Sequence, residues 1–326
     1  MKTICKDIFT ALFMGMVLPG ILLNFAVMVL NDRGQMPEVT VPQETVPQTV
    51  ALPMRLQGAD GSGEELDMDT YLVGVVLAEM PASFETEALK AQAVAARTYT
   101  RKAWETGGKH GDGSVCGNSA CCQAYLTVDG YLEKGGTQEG LDKIRSAVLA
   151  TSGEVLTYEG ELIEATYFSC SGGSTEDAAA VWGTDYPYLQ SVASPGEEEA
   201  AYFTDTVSFS PEEFQKALGV ALSGTPRSWF GTVTYTEGGG VAAMRIGGEA
   251  YSGTQLRSML GLRSTAFAVT ADETGITITT QGYGHRVGMS QYGADAMAVN
   301  GSTYREILSH YYPGTELTKV IPELGS

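Results

Sequence analysis

Hydrophobic and polar positions divide the chain into three parts with different patterns. Residues 7–30 form an apolar run with one acid at its start, long enough to cross a hydrocarbon layer of roughly 30 Å. Residues 31–50 hold three prolines among Gln, Thr, Val and Glu, a composition typical of an extended linker. From residue 51 to about 318, apolar positions recur with helical or strand spacing, which predicts one folded domain before a tail at 319–326.

The apolar run predicts a single transmembrane helix at the N-terminus. Lys2 and Lys6 precede it, so we expect the tip of segment 1–30 in the cytoplasm and all later residues outside the membrane. A cleaved signal peptide is the alternative. The run exceeds the usual ~7–15 apolar residues of such a peptide and has no clear small-x-small cleavage site, which favours an uncleaved anchor.

The folded part begins with a predicted strand over 51–57 and a Gly-rich turn. The segment TYLVGVVLAEM, residues 70–80, then predicts a buried helix that Asp67 or Asp69 can cap. This helix should end at Met80, because the residue before a proline is disfavoured in the α region.

A second helix is expected to begin near Ser83 or Thr86 and to extend to about Trp104. Its apolar face is rich in alanine, so we expect it to pack closely against the first helix. The residues of this face are Leu89, Ala93, Ala96 and Tyr99 or Thr100.

Farther along, short β-like runs alternate with helical pieces. The β-like runs cover residues 153–160, 161–170, 230–238, 241–253 and 275–285. The helical pieces cover residues 211–222, 254–261, 290–301 and 303–314. Strands outnumber crossover helices and lie between Gly-rich turns, which favours an α+β fold with mostly antiparallel sheet and packed helices. No second linker divides residues 51–318.

Composition and charge narrow the functional classes. The 326 residues are 43% hydrophobic and 18% charged, as in an ordinary globular protein. A formal net charge of −19 with only 20 Lys and Arg residues argues against nucleic acid as a partner, since phosphate binding needs clustered positive charge.

Glu79 is the one acid at the end of an otherwise apolar helix. Apolar neighbours and the negative end of the helix dipole both raise the pKa of a carboxyl group. A carboxyl that stays protonated near neutral pH can serve as a general acid. The alternative is a surface glutamate on the polar side of an amphipathic helix, and helical periodicity by itself favours that alternative.

A second group of reactive side chains lies in the loop KHGDGSVCGNSACCQAY. His110, Cys116, Cys121 and Cys122 fall within 13 residues, and thiolates with imidazole can close a tetrahedral zinc site. The spacing differs from that of a zinc finger, so a loop disulfide or free thiols remain alternatives.

The segment YLVGVVLAEMPASFETEALKAQAVAARTYT resembles the signature of the stage II sporulation protein D (SpoIID/LytB) family of peptidoglycan lytic transglycosylases. Three later segments resemble the same family and occur in the order that the family shows. They are TYFSCSGGSTEDAAAVWG, LRSMLGLRSTAF and GYGHRVGMSQYGADAMA. The resemblance covers residues 51 to about 318, although the family usually has glycine where Arg286 stands.

The resemblance implies that Glu79 is the catalytic acid. It implies cleavage of the bond between N-acetylmuramic acid and N-acetylglucosamine in denuded strands, whose stem peptides have been removed. The muramyl 6-hydroxyl closes on C1 and leaves a 1,6-anhydro end without water.

Some clostridial members carry zinc in the matching loop through two cysteines and two histidines. His110, Cys116 and Cys122 fit that pattern, whereas Cys121 replaces a histidine, so we expect a structural zinc with four protein ligands.

Candidate substrate-binding residues come from the same motifs. The loop CSGGS lacks an acid-base partner and the G-x-S-x-G pattern, so its backbone is expected to approach a sugar, with Tyr167 and Trp182 as flat faces or as core residues. Polar groups before a later helix can bind hydroxyls, although His285 is equally compatible with a structural role. The candidates are Arg97, Tyr167, Ser171, Gly172, Gly173, His285, Ser290, Gln291 and Tyr292.

The family context further implies action during engulfment, with the catalytic domain outside the cell membrane on the mother-cell side of the intermembrane space. It implies an amidase/endopeptidase partner, SpoIIP, and a membrane scaffold, SpoIIM. Two rival functions remain at this point. One is a non-catalytic glycan-binding enhancer of a wall amidase, and the other is a zinc-dependent amidase, which needs an open metal position.

Overall fold

The computed structural model describes residues 53–58 and 63–320. Within these ranges, no helix combines the length and the apolar character needed to cross a bilayer. The predicted anchor at 7–30, the linker at 31–50 and most of the tail at 319–326 lie outside the described residues.

Nine helices of α type occur in the described residues, and a 3-10 turn covers Pro226–Ser228. The helices are α1 (Met68–Glu79), α2 (Thr86–Thr106), α3 (Val128–Glu133), α4 (Gln138–Ala150), α5 (Ala178–Trp182), α6 (Pro211–Leu218), α7 (Gly253–Leu260), α8 (Gln291–Val299) and α9 (Tyr304–Tyr311).

Strands are short, as the sequence indicates. They are β1 (Pro53–Gln57), β2 (Gly63–Asp67), β3 (Val115–Cys116), β4 (Glu154–Tyr158), β5 (Glu161–Leu162), β6 (Tyr167–Phe168), β7 (Thr204–Phe209), β8 (Phe230–Tyr235), β9 (Val241–Ile246), β10 (Glu249–Ser252), β11 (Ala266–Ala271), β12 (Ile276–Gln281), β13 (Met289–Ser290) and β14 (Glu316–Lys319).

The strands form five small sheets with the orders β2-β1-β3, β10-β9-β8, β11-β12-β7, β13-β6 and β14-β4-β5. The pairs β1 with β3 and β6 with β13 are parallel, and the other named pairs in the described residues are antiparallel. The predicted α+β fold with mostly antiparallel sheet and packed helices is therefore confirmed.

The first two helices follow their sequence signals closely. Asp67 caps α1 by accepting a hydrogen bond from the Thr70 amide at 2.9 Å. Met80 ends α1 in an extended conformation, φ −127° and ψ 140°, as expected before a proline. Its amide still donates to the Val76 carbonyl, so a backbone hydrogen bond closes the last turn of α1, which carries Glu79.

Helix α2 is buried more completely than an amphipathic pattern implies. Its alanines are inaccessible to solvent on several faces, because α1, α4, α8, α9 and β4 all pack around it. Small side chains let these elements approach closely, and the fully buried Leu89 contributes about 1.5–3 kcal/mol of apolar burial. This packing fixes α1 and α8, the two elements that carry Glu79 and Gln291.

Two separate hydrophobic clusters occur between residues 53 and 320. The main cluster is built on α1, α2 and α4. The second lies within residues 204–281, around Phe214, Trp229 and Ile278. We call this second part the subdomain.

Candidate active site

Glu79 is the last residue of α1, and its side chain is half-buried. Its Oε1 accepts a hydrogen bond from the Ala124 amide at 3.0 Å, and its Oε2 accepts one from Gln291 Nε2 at 3.2 Å. Burial raises the pKa of the Glu79 carboxyl above its ordinary value, and these two hydrogen bonds offset only part of that rise. Burial therefore makes the protonated form of Glu79 more accessible than that of an exposed glutamate, the direction that a general acid requires.

The segment that supplies the Ala124 amide depends on a close approach to α1. The Leu126 amide donates to the carbonyl of Gly74 at 3.0 Å. A Cβ at Gly74 would lie 2.2 Å from Cε2 of Tyr125, so only glycine allows this contact. The ring of Tyr125 then stacks on Tyr71 with their centroids 5.6 Å apart.

Glu79 lies where two surface depressions meet. The long cleft, of about 620 Å³, and the short cleft, of about 310 Å³, share Glu79, Ser169 and Gln291 in their walls. We call the two clefts together the groove. Glu79 therefore forms part of the wall of both clefts.

Aromatic side chains line both halves of the groove. Trp182, Tyr186 and Tyr283 lie in the long cleft, whereas Tyr202 and Tyr292 lie in the short cleft. Trp182 is 43% exposed and Tyr283 is 42% exposed, so these rings are accessible surfaces and not core. Exposed aromatic faces of this kind suit a ligand with apolar and polar sides, such as a sugar ring.

Several predicted site residues do lie together in the groove. Tyr167, His285 and Gln291 line the long cleft with Glu79, and Tyr292 lines the short cleft. Tyr167 Oη donates to Gln123 Oε1 at 2.8 Å, which ties the wall of the cleft to the segment beside Ala124. Burial, together with the positive charge of Arg257, lowers the pKa of His285 to about 4, so its imidazole is neutral.

The CSGGS loop, which the sequence predicts as a sugar contact, makes hydrogen bonds inside the protein. The Ser171 and Gly172 amides donate to Glu197 Oε2 at 2.7 Å and 3.1 Å, and the Ser171 hydroxyl donates to the same oxygen. The Gly173 amide donates to Ser171 Oγ at 2.9 Å. This backbone is thus occupied by a buried carboxylate, and none of Ser171, Gly172 and Gly173 lines the groove.

Ser290 and Arg97 also lie away from the groove walls. Ser290 is fully buried and caps α8 by accepting a hydrogen bond from the Gly293 amide at 3.2 Å. Arg97 pairs with Asp69 at 3.0 Å and donates to the Val148 carbonyl at 3.1 Å. Both polar side chains thus satisfy partners inside the protein, a helix end for Ser290 and a carboxylate and a core carbonyl for Arg97.

Arg286 has an internal role that the sequence does not reveal. Its φ is +64°, a left-handed backbone that favours glycine. Its guanidinium, almost fully buried, pairs with Glu176 at 3.0 Å and donates to the carbonyls of Ser174 and Gly238 at 2.7 Å each. The hydrogen bond to Gly238 therefore ties the residue after the GYGH loop to the β8–β9 turn of the subdomain.

The loop after α2 gathers the four predicted metal ligands. The ligand atoms of His110, Cys116, Cys121 and Cys122 all lie within 4.8 Å of one another. His110 Nε2 lies 3.4 Å from Cys122 Sγ and 3.8 Å from Cys121 Sγ, and the two sulfurs are 3.9 Å apart. All three cysteines are free, so the predicted alternative of a disulfide is not present among them.

These separations fit a tetrahedral metal. Bond lengths of about 2.3 Å to sulfur and about 2.0 Å to nitrogen place tetrahedral ligands about 3.5–3.8 Å apart. Although burial opposes it, hydrogen bonds from the Asn118 amide and from His110 lower the pKa of Cys116 to about 7, which favours a thiolate. The cluster could therefore hold a metal ion, and Cys122 also forms part of the wall of the long cleft.

Among the groove residues that the sequence patterns do not predict, three bear on the argument below. They are Arg257 and Tyr283 in the long cleft and Tyr202 in the short cleft. Arg257 and Tyr283 belong to the quoted motifs LRSMLGLRSTAF and GYGH, so a signal was present. Their exposure toward Glu79 depends on how the subdomain meets the main core, which a sequence pattern does not encode.

The fold and groove define an α+β protein with one protonatable glutamate between two aromatic-lined clefts. A family model described as SpoIID, Stage II sporulation protein, matches residues 59–158, which include Glu79 and the loop with the His110, Cys116, Cys121 and Cys122 cluster. Stage II sporulation protein D of Bacillus amyloliquefaciens is 41% identical over 263 residues, covering 79% of this chain and 76% of that protein. The protein of the same name from Bacillus subtilis (strain 168) is 41% identical over 266 residues, covering 80% and 77%.

A more distant relative has a different name. The Amidase enhancer of Bacillus subtilis (strain 168) is 30% identical over 306 residues, covering 76% of this chain and 40% of that protein. With 41% identity along most of its length to two Stage II sporulation proteins D, the chain belongs to the SpoIID family of sporulation proteins.

Proposed function

We propose that the chain is a peptidoglycan lytic transglycosylase acting on denuded glycan strands. The observation that carries this proposal is the position of Glu79, a carboxyl with a raised pKa at the junction of two clefts. A strand that occupies both clefts presents a glycosidic oxygen to a proton donor near the middle of the groove.

The proposed reaction needs one acid. Protonated Glu79 donates its proton to the oxygen between N-acetylmuramic acid and N-acetylglucosamine as the bond to C1 breaks. The muramyl 6-hydroxyl then bonds to C1 and gives its proton to the Glu79 carboxylate, which forms the 1,6-anhydro end. The nucleophile belongs to the substrate, so the second carboxylate of a glycoside hydrolase is not needed.

We also propose that zinc occupies the His110, Cys116, Cys121 and Cys122 cluster. The donor set of three sulfurs and one nitrogen suits zinc. With four protein ligands the metal has no open position, so it would brace the loop without activating water. The segment after Cys122 supplies the Ala124 amide that donates a hydrogen bond to Glu79. A bound metal would therefore also restrain the position of the proposed catalytic acid.

The cellular setting is likewise a proposal, supported by the apolar run 7–30 and the family resemblance. The chain would be a single-pass membrane protein with its catalytic domain outside the membrane, on the mother-cell side during engulfment. SpoIIP and SpoIIM would be its partners.

A non-catalytic enhancer of a wall amidase is the second candidate function, favoured by the 30% identity to the Amidase enhancer. It predicts glycan binding without cleavage. A zinc-dependent amidase has less support, since the four clustered side chains would leave the metal no place for water.

The deciding experiment incubates the full chain with denuded strands and identifies the products by mass spectrometry. We expect anhydro-muramyl ends from the wild type and a loss of about 10²–10⁴-fold in rate for Glu79→Gln. Glu164→Gln is the matched control, because Glu164 is a carboxylate in the same cleft that pairs with Lys102 at 2.9 Å.

Each outcome has a defined meaning. Activity in Glu164→Gln and none in Glu79→Gln supports the single-acid reaction. Binding by all three proteins with cleavage by none supports the enhancer. Loss of activity in both variants, with hydrolysed ends from the wild type, would identify a two-carboxylate hydrolase instead.

A further inference from the structure

Arg257 is a cation in the long cleft whose guanidinium has no protein partner among residues 53–58 and 63–320. It lies in the last turn of α7, and its side chain makes no ion pair or hydrogen bond there, although it is only partly exposed. Arg263, six residues later in the same motif, differs in this respect. It pairs with Asp205 at 3.2 Å and lies over the rings of Tyr202 and Tyr283.

The other charged groups of the long cleft leave Arg257 free for a ligand. Glu164 is paired with Lys102, and Glu79 is held by Ala124 and Gln291. Lys109 is directed to the Cys121 carbonyl. His285 beside Arg257 is neutral, because its pKa is about 4.

An unpaired arginine in a cleft favours an anionic ligand. The chain carries a net charge of −19, so a local cation is needed wherever an anion approaches it closely. Along the proposed substrate, N-acetylglucosamine is neutral, but a muramyl residue without its stem peptide ends in a free lactyl carboxylate. Guanidinium binds carboxylate through two parallel hydrogen bonds, a geometry that Lys cannot reproduce.

We propose that Arg257 binds the lactyl carboxylate of a stem-free muramyl residue in the long cleft. The inference rests on the proposed function and gives a physical cause for the choice of denuded strands. An intact stem peptide converts that carboxylate into an amide, which removes the charge and adds bulk at the same position. Arg257 is thus a specificity residue, separate from the proton donor Glu79.

Binding in a non-cleaving background tests this proposal. All proteins carry Glu79→Gln, and the ligands are soluble denuded strands and the same strands with their lactyl carboxylates converted to simple amides. We expect the Arg257-containing protein to bind the carboxylate form roughly 10-fold to 100-fold more tightly. Arg257→Gln should remove this preference, and Arg257→Lys should keep part of it.

Arg145→Gln is the matched control. Arg145 is an exposed residue of α4, contributes the same charge and lines neither cleft of the groove. It should leave the preference unchanged. Thermal unfolding of every variant shows whether a loss of binding comes from the fold.

The results separate this inference from the proposed function. If Arg257→Gln weakens both ligands equally, Arg257 binds sugar hydroxyls and the proposal is wrong. Equal binding of the two ligands by the Arg257 protein overturns it as well, while cleavage by the wild type still supports the transglycosylase. If the Arg257-containing protein prefers the carboxylate form but the wild type cleaves no strand, Arg257 binds the carboxylate in a protein that binds glycan without cleaving it.

Discussion

The Glu79 carboxyl receives one hydrogen bond on each oxygen, from residues far away in the sequence. The Ala124 amide is 45 positions away and the Gln291 side chain is 212 positions away. Both donors stabilise the charged form, whereas burial penalises it more strongly. The carboxyl is therefore held in a fixed direction while its pKa stays above the ordinary value.

The pH dependence of cleavage tests this balance. The reaction needs protonated Glu79, so activity is present below its raised pKa and is lost as the pH rises through it. Gln291 lowers that pKa, so Gln291→Leu should move the alkaline limb of the kcat/KM profile to higher pH. The measurement is the product rate on denuded strands across pH.

Tyr292→Phe is the control for this shift, because Tyr292 lines the short cleft and adds no charge near Glu79. Its alkaline limb should coincide with that of the wild type. A limb that stays in place, or moves to lower pH, in Gln291→Leu would contradict the assigned hydrogen bond.

The family resemblance predicts Glu79 as the acid, but residue type does not show which of the other polar residues face a ligand. Glu79 stands out because it interrupts an apolar run before a proline. Ser171, Ser290 and Arg97 carry equally suitable groups, yet each is used inside the protein by Glu197, the α8 amides or Asp69. These partners come from distant parts of the chain, so no local pattern distinguishes an internal polar group from one that faces a ligand.

At the scale of elements, the loop that carries the His110, Cys116, Cys121 and Cys122 cluster is connected by hydrogen bonds to α1 and α2. Cys121 and Cys122 both donate their amides to the Asn118 carbonyl, which turns the chain tightly around the four clustered side chains. Gln123 follows and donates to Thr100 on α2 at 2.8 Å, and Ala124 then reaches Glu79. A metal at this cluster would therefore stabilise both the loop and the orientation of the acid.

Metal removal and ligand substitution test this coupling. We expect about one zinc per chain by elemental analysis, and a chelator should lower the free energy of unfolding by about 3 kcal/mol or more and reduce cleavage. Cys122→Ser should behave like the chelated protein. Cys121→His should retain zinc, since imidazole can replace the thiolate.

The matched control is Cys170→Ala, which removes a buried thiol that lies outside the cluster. Its metal content should equal that of the wild type. Purified chain without metal, or an unfolding transition that the chelator leaves unchanged, would refute the structural zinc.

Element boundaries were predictable where capping and proline signals are strong. The ends of α1, the start of α2 at Thr86 and the hairpin of β1 and β2 follow from such signals. Helix α4 was missed although Leu141, Ile144 and Val148 recur at helical spacing behind a Thr137 cap, so its signal was present. Strands β7 and β11 were missed because their pairing with β12 supplies the order that their mixed polar pattern does not.

At the scale of the whole molecule, the groove draws on both hydrophobic clusters. Glu79 and Gln291 are carried by helices around the main core, whereas Arg257 lies on α7 in the subdomain. The buried pair of Arg286 and Glu176 links the two parts, because Glu176 also accepts a hydrogen bond from the Gly240 amide at 2.9 Å. The described residues thus hold two hydrophobic cores, and the residues proposed for substrate selection and for proton donation are carried by different ones.

Weakening one core should therefore separate these two contributions. Phe214 is fully buried in the subdomain, and Phe214→Ala should cost about 3–5 kcal/mol through lost burial and a cavity. We expect hydrogen exchange to rise across residues 204–281 while the amides of α2 stay protected. The preference for carboxylate-bearing strands should fall with it, because the position of Arg257 depends on that core.

Leu89→Ala provides the reciprocal case, because Leu89 is fully buried in the main core beside α1. It should raise exchange in α2 and reduce cleavage, with less effect on residues 204–281. Equal loss of protection in both regions in either variant would show that the two cores unfold as one cooperative unit. In that case the ion pair of Arg286 and Glu176 would join them firmly enough for a defect in the subdomain to reach Glu79.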